Sequence, residues 1–146
     1  MRRTRLISVA FAVSAFYLVL YSCQSEEAIR KAQYTANGHK LYTEKCQNCH
    51  GAKGEGLGQL YPPLNDSAYL RQHREQLACI VRYGLSGPIE VDGREFNTPM
   101  PANPRLTPIE IAYILTYIGN AFGGEEGLYT QEAVQQSLQT CMEYKF

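Results

Sequence analysis

Apolar and small residues run without a break from Leu6 to Leu20, behind Arg2, Arg3 and Arg5. Fifteen residues are short for a helix that must span a bilayer with roughly 20. A basic start followed by such a run predicts a secretory signal over residues 1–22. From Cys23 to Gln33 the chain turns polar and loses periodicity, which predicts a flexible tether over 23–33. Periodicity returns after Tyr34. Leu41 and Tyr42 fall on one face of a helix covering 37–49, and the four glycines between Gly51 and Gly58 then require a loop.

Further along, Asp66 is placed to cap a short helix through Tyr69 and Leu70. A second helix, from about Arg74 to Tyr83, buries Leu77, Ile80 and Val81 before Gly84 ends it. Val91-Asp92-Gly93-Arg94 reads as a tight turn. The strongest helix signal starts at Thr107. Pro108 takes the first helical position, Glu110 completes a capping box, and Ile111, Ile114, Leu115 and Ile118 supply the apolar face. That helix should end near Phe122-Gly123-Gly124. Thr130 then caps a last helix in which Val134, Leu138 and Cys141 recur at spacings of four and three. The pattern predicts an all-α fold: one small helical domain over 34–122, and a C-terminal helical extension over 123–146 that packs on it.

Charge narrows the choice of partners. The 146-residue chain carries 14 basic and 14 acidic residues. Loss of residues 1–22 removes three arginines and no acid, leaving a mature chain of net charge −3. Nucleic-acid binding, which needs basic surface to neutralise phosphates, gains no support. Protein or small redox partners fit better, and the mature length suits one domain with its own core.

The five cysteines separate by context. Leu20-Tyr21-Ser22-Cys23 resembles the lipobox of bacterial lipoproteins, with the bulky Tyr21 as a departure. Cys23 would then be lipidated and anchor an exported, periplasmic-side protein to the membrane; the alternative is an uncleaved anchor with an incidental thiol. Cys79 and Cys141 pair as a disulfide in an oxidising compartment, or else stay buried as inert thiols.

Cys46-Gln47-Asn48-Cys49-His50 carries the chemistry. Cysteines three apart share a helix face, where their thiols reach the two vinyl groups of one haem, and the next residue's imidazole meets the iron. A zinc site would need four ligands, and no second Cys pair or close His pair supplies them. A thioredoxin-like pair would sit in an α/β pattern, which is absent. For a second axial ligand the candidates are Met100, Met142, His39 and His73. Met100 is favoured because Asn97-Thr98-Pro99-Met100-Pro101 places it between two stiffening prolines.

From Tyr34 to Phe122 the chain resembles the monohaem class I cytochrome c family. Gly38 and Tyr42, eight and four residues before Cys46, match the small and aromatic residues that meet the C-terminal helix in that family; Ile114 and Tyr117 match their partners. The resemblance implies that the Pro62 carbonyl accepts a hydrogen bond from His50, that Leu64 packs on the haem face, and that Gly84-Leu85-Ser86-Gly87 leads through a short hairpin to Met100. It implies one covalent haem c with His50 and Met100 as axial ligands. The implied function is one-electron transfer between a redox protein donor and acceptor, by a monomer and not an enzyme. A haem-bearing subunit docked permanently in a larger complex is the alternative, with a catalytic haem protein behind it.

Overall fold

The computed structural model describes residues 2–65, 67–124 and 127–141, without the side chains of 2–10, 19–25 and 67. The cap expected at Asp66 and the methionine at position 142 lie outside the described residues. In chain order the elements are α1 (Arg2–Lys45), α2 (Gln47–His50), α3 (Ser67–Gln72), α4 (Leu77–Tyr83), β1 (Ile89–Val91), β2 (Arg94–Phe96), α5 (Pro108–Ala121) and α6 (Gln131–Thr140). The fold is all-α apart from one two-stranded hairpin.

The chain forms two units, Met1–Gln33 and Tyr34–Phe146. The first is helical throughout its described residues, and none of the described helices is long and apolar enough to cross a membrane. Residues 23–33, read from the sequence as a tether without fixed structure, carry helical backbone. The physical reason is local. Glu26, Glu27, Ala28, Arg30, Lys31 and Gln33 are good helix formers, and Glu26/Arg30 and Glu27/Lys31 stand four apart with the acid first.

In the second unit α5 is the central element. Thr107 caps it, accepting from the Glu110 N–H while the Glu110 carboxylate accepts from the Thr107 N–H at 2.7 Å, the predicted capping box. The bonds the carboxylate accepts from the Thr107 N–H and then from its hydroxyl hold the Glu110 carboxyl below its usual pKa. Ile111 and Ile114 are fully buried, and with Tyr42, Leu77, Val81 and Leu115 they form the core. α4 begins at Leu77 and not at Arg74, because residues 73–76 form a turn in which the Gln76 N–H bonds to the His73 carbonyl at 2.8 Å. Arg74 is drawn instead to Tyr129, donating to its hydroxyl at 3.0 Å and lying 4.1 Å from its ring centre. The hairpin pairs Ile89 with Phe96 and Val91 with Arg94. Its turn residues Asp92 and Gly93 both have positive φ, 52° and 67°, the geometry of the two-residue turn that matches strand twist.

Gly38 is the point where the end of α1 meets α5. A Cβ there would collide with the Tyr113 carbonyl and lie 2.7 Å from Tyr117 Cβ. Around it Tyr34 packs edge-on to Tyr113 and Tyr42 against Tyr117, at 4.7 and 5.3 Å between ring centres. Alanine is the better helix former by about 1 kcal/mol, yet the obstructing atom is backbone and cannot step aside. Gly38→Ala is therefore expected to destabilise the domain by about 1–3 kcal/mol, the scale of overpacking, read as a lower midpoint in denaturant unfolding.

The tail closes over the far side of α5. Thr116, fully buried, accepts from the Tyr129 N–H at 3.0 Å, and Asn120 donates to the Gly127 carbonyl at 2.9 Å. Val134 is buried and Leu138 half-buried, as the spacing predicted. Cys141 is bonded to Cys79 of α4, with their Cα atoms 5.6 Å apart and a sequence separation of 62. By chain entropy, closing a loop of that length stabilises the fold by about 4 kcal/mol.

Candidate cofactor cleft

A cleft opens between the α1–α2 junction, α4, α5 and the segment carrying Met100. Cys46, Cys49, His50, Pro62, Leu64 and Met100 all line it. Six residues singled out along 55 positions of sequence thus converge on one place. Its walls are otherwise largely apolar, among them Leu70, Leu77, Ile80, Val81, Ile114 and Leu115.

The floor is built by a break in the helix. Cys46 departs from helical geometry at φ −120°, and the single turn α2 restarts to carry Cys49 and His50. Both thiols are free, and burial with neighbouring Cys49 pushes the Cys46 thiol up to about 11, so it is uncharged at neutral pH. The His50 imidazole is almost wholly buried, and that burial lowers its pKa against the opposing effect of its bond to Pro62. Its Nδ1–H donates to the Pro62 carbonyl at 3.0 Å. A carbonyl can only accept, so the proton sits on Nδ1 and the Nε2 lone pair is available to a metal.

The loop from Gly51 to Leu64 is tied so that this bond can form. The Gly56 N–H bonds to the His50 carbonyl at 2.8 Å, and the Leu64 N–H to the Gly54 carbonyl at 2.7 Å. The Tyr42 hydroxyl donates to the Gly51 carbonyl at 2.6 Å, and burial pushes the Tyr42 pKa up. The sequence showed Tyr42 as an inward aromatic residue. Its hydroxyl bond went unnoticed, because nothing local distinguishes a packed Tyr from a packed Phe.

Met100 reaches the cleft from its own segment. It forms a two-bond bridge with Leu85, Met100 N–H to the Leu85 carbonyl at 2.9 Å and the reverse at 3.1 Å. Asn103, also missed, donates from its side chain to the Val81 carbonyl at 3.2 Å, at the end of α4. Only the orphan carbonyls of a helix end give that asparagine a purpose, and sequence does not say which helix lies there. The rival histidines are elsewhere: His39 stands exposed with its ring 5.2 Å from Tyr117, and His73 packs on Tyr69 at 4.2 Å and does not line the cleft. Among the described residues, no cluster of three His, Cys, Asp or Glu offers an alternative metal site.

Two free thiols and an imidazole with a free Nε2, on one turn beneath an apolar cleft into which a thioether also opens, fit a covalently bound haem. Comparison with known proteins agrees. Residues 35–121 match the family model for cytochrome c. Over 92 residues, 60% of this chain, it is 37% identical to cytochrome c-552 of Thermus thermophilus and to the cytochrome c-552 of a named strain of that species. The matched region spans 70% of the first and 62%, less than two thirds, of the second.

Proposed function

The chain belongs to the cytochrome c family, and from that premise we propose that it carries one electron at a time, on a single haem c, between a redox protein donor and acceptor. When bound, the haem supplies the one-electron iron couple. Cys46 and Cys49 would hold it by thioether bonds, and His50 and Met100 would ligate its iron. The observation that carries this reading is the convergence of those four side chains, with the rival histidines excluded, on one apolar cleft.

The protein's own groups tune the exchange. The Pro62 carbonyl, fixed by the tied loop, orients the imidazole and raises its basicity. The Met100 sulfur is a soft ligand that favours ferrous iron, and an apolar lining disfavours the extra charge of ferric iron; both raise the potential. Leu64 packs among the cleft walls, as the family pattern implies. Export on the signal of residues 1–22, lipidation at Cys23 and a membrane-anchored monomer on the periplasmic side complete the proposal. It assigns 34–122 as the haem domain and 123–146 as its extension.

The test is the visible spectrum of the purified mature protein, oxidised and reduced. The ferric form is expected to show the weak far-red band of methionine sulfur on iron, lost in Met100→Ala. A high-spin, open site in the unaltered protein would overturn the carrier reading.

A further inference from the structure

Neither cysteine of the disulfide lines the cleft, yet one of them sits on the element from which Met100 hangs. On α4, Leu77, Ile80 and Val81 face the cleft, and Cys79 projects from the opposite side of the helix. The last turn of α4 carries the Met100 segment through a run of hydrogen bonds. Asn103 bonds to the Val81 carbonyl through its side chain at 3.2 Å and to the Arg82 carbonyl through its N–H at 3.1 Å. Arg82 donates to the Pro104 carbonyl at 2.9 Å, and Leu85 exchanges two bonds with Met100. At the corner, Gly84 has φ 80° and sits directly against the Met100 carbonyl, so the two segments cannot slide past one another.

α4 is only seven residues long, about two turns. A helix so short has little stability of its own and takes its position from its neighbours. One face abuts the cleft. The other is joined covalently to Cys141 at the end of α6, which is itself seated on α5 through Val134. We propose that Cys79 and Cys141 are positioning residues for Met100: the disulfide braces α4 from behind and so holds the thioether in the cleft, and opening it frees the sixth position for small ligands. The inference rests on reading Met100 as the sixth iron ligand. In chemical terms, a dithiol delivers two electrons and two protons, the Cys79–Cys141 bond breaks to two thiols, and the dithiol leaves as its cyclic disulfide.

The experiment measures carbon monoxide binding to the ferrous holoprotein, with the iron reduced either by ascorbate, which spares the disulfide, or by dithiothreitol, which opens it. Free-thiol titration confirms the state of the cysteines. With dithiothreitol, association is expected to be about tenfold faster or more. The Cys79→Ala/Cys141→Ala variant should show the fast rate with either reductant. Gly38→Ala, which loosens a different interface, should stay slow. Equal rates with the disulfide closed and open overturn the brace, and so does an equal rise in Gly38→Ala, which would mark general loosening. If the ascorbate-reduced protein already binds as fast as Met100→Ala, the ligand reading fails and the brace with it. Should the double variant fail to load haem, the two-reductant comparison on the unaltered protein decides alone.

Discussion

Replacing Cys46 and Cys49 together by alanine is expected to abolish covalent haem altogether, from one equivalent per chain to none, as read by mass and by haem staining after denaturation. The two thiols are the sole free cysteines among the described residues whose side chains are seen, and both border the cleft. On the proposed ligation, what remains in the variant is coordination by His50 and Met100 and contact with apolar walls. Neither survives unfolding, whereas a thioether does. The effect extends to the fold. Leu77, Val81, Ile114 and Leu115 line the cleft and also belong to the core, and Ile80 packs half-buried against it, so a haem that fills the cleft packs directly on the core's own wall. An empty cleft forfeits those packing contacts outright. Loss of haem should therefore lower helicity and the unfolding midpoint well beyond the Gly38→Ala effect. Either single cysteine variant should retain one bond and an altered spectrum. Covalent haem persisting in the double variant would place the attachment elsewhere.

Met100→His is expected to lower the reduction potential by ~0.1–0.3 V, a fraction of the ≈ 0.8 V over which axial ligands act, with the iron remaining six-coordinate. The substitution exchanges a soft sulfur for a harder nitrogen and leaves the other ligand and the cleft walls as they were. Softness of the ligand is therefore the variable under test, separate from the vacancy that Met100→Ala creates. The segment is suited to the exchange: its backbone is held by the Leu85 bridge and by Asn103, not by the methionine side chain. Potentiometric titration reads the result. An unmoved potential would mean that position 100 does not ligate the iron.

The two variants probe parts of the site that were unequally visible in the chain. The proposed attachment by Cys46 and Cys49, with His50 beside them, depends on residues within one turn, where covalent spacing alone brings the groups together. The Thr107 cap, the Asp92-Gly93 turn and the Thr130 cap were legible for the same reason, since each is decided by a few neighbouring residues and their preferred dihedrals. The start of α4 was not. Arg74 would extend a helix on propensity, but its side chain is engaged by Tyr129, 55 positions away, and that contact prevails. Tyr42 was visible as core, while its bond to the Gly51 carbonyl required the loop to return.

By itself, then, the sequence determined the helices with their own caps, the all-α class, the attachment motif and the short list of candidate ligands. Each is a matter of local geometry or of chemistry within a single motif. The tertiary structure alone decided that Met100 enters the cleft while His39 and His73 do not, that Asn103 hangs its segment from α4, and that Cys79 meets Cys141. These depend on which distant surfaces bury against one another. That choice is made by the summed packing of α1, α4, α5 and α6, and no short stretch of the chain contains it.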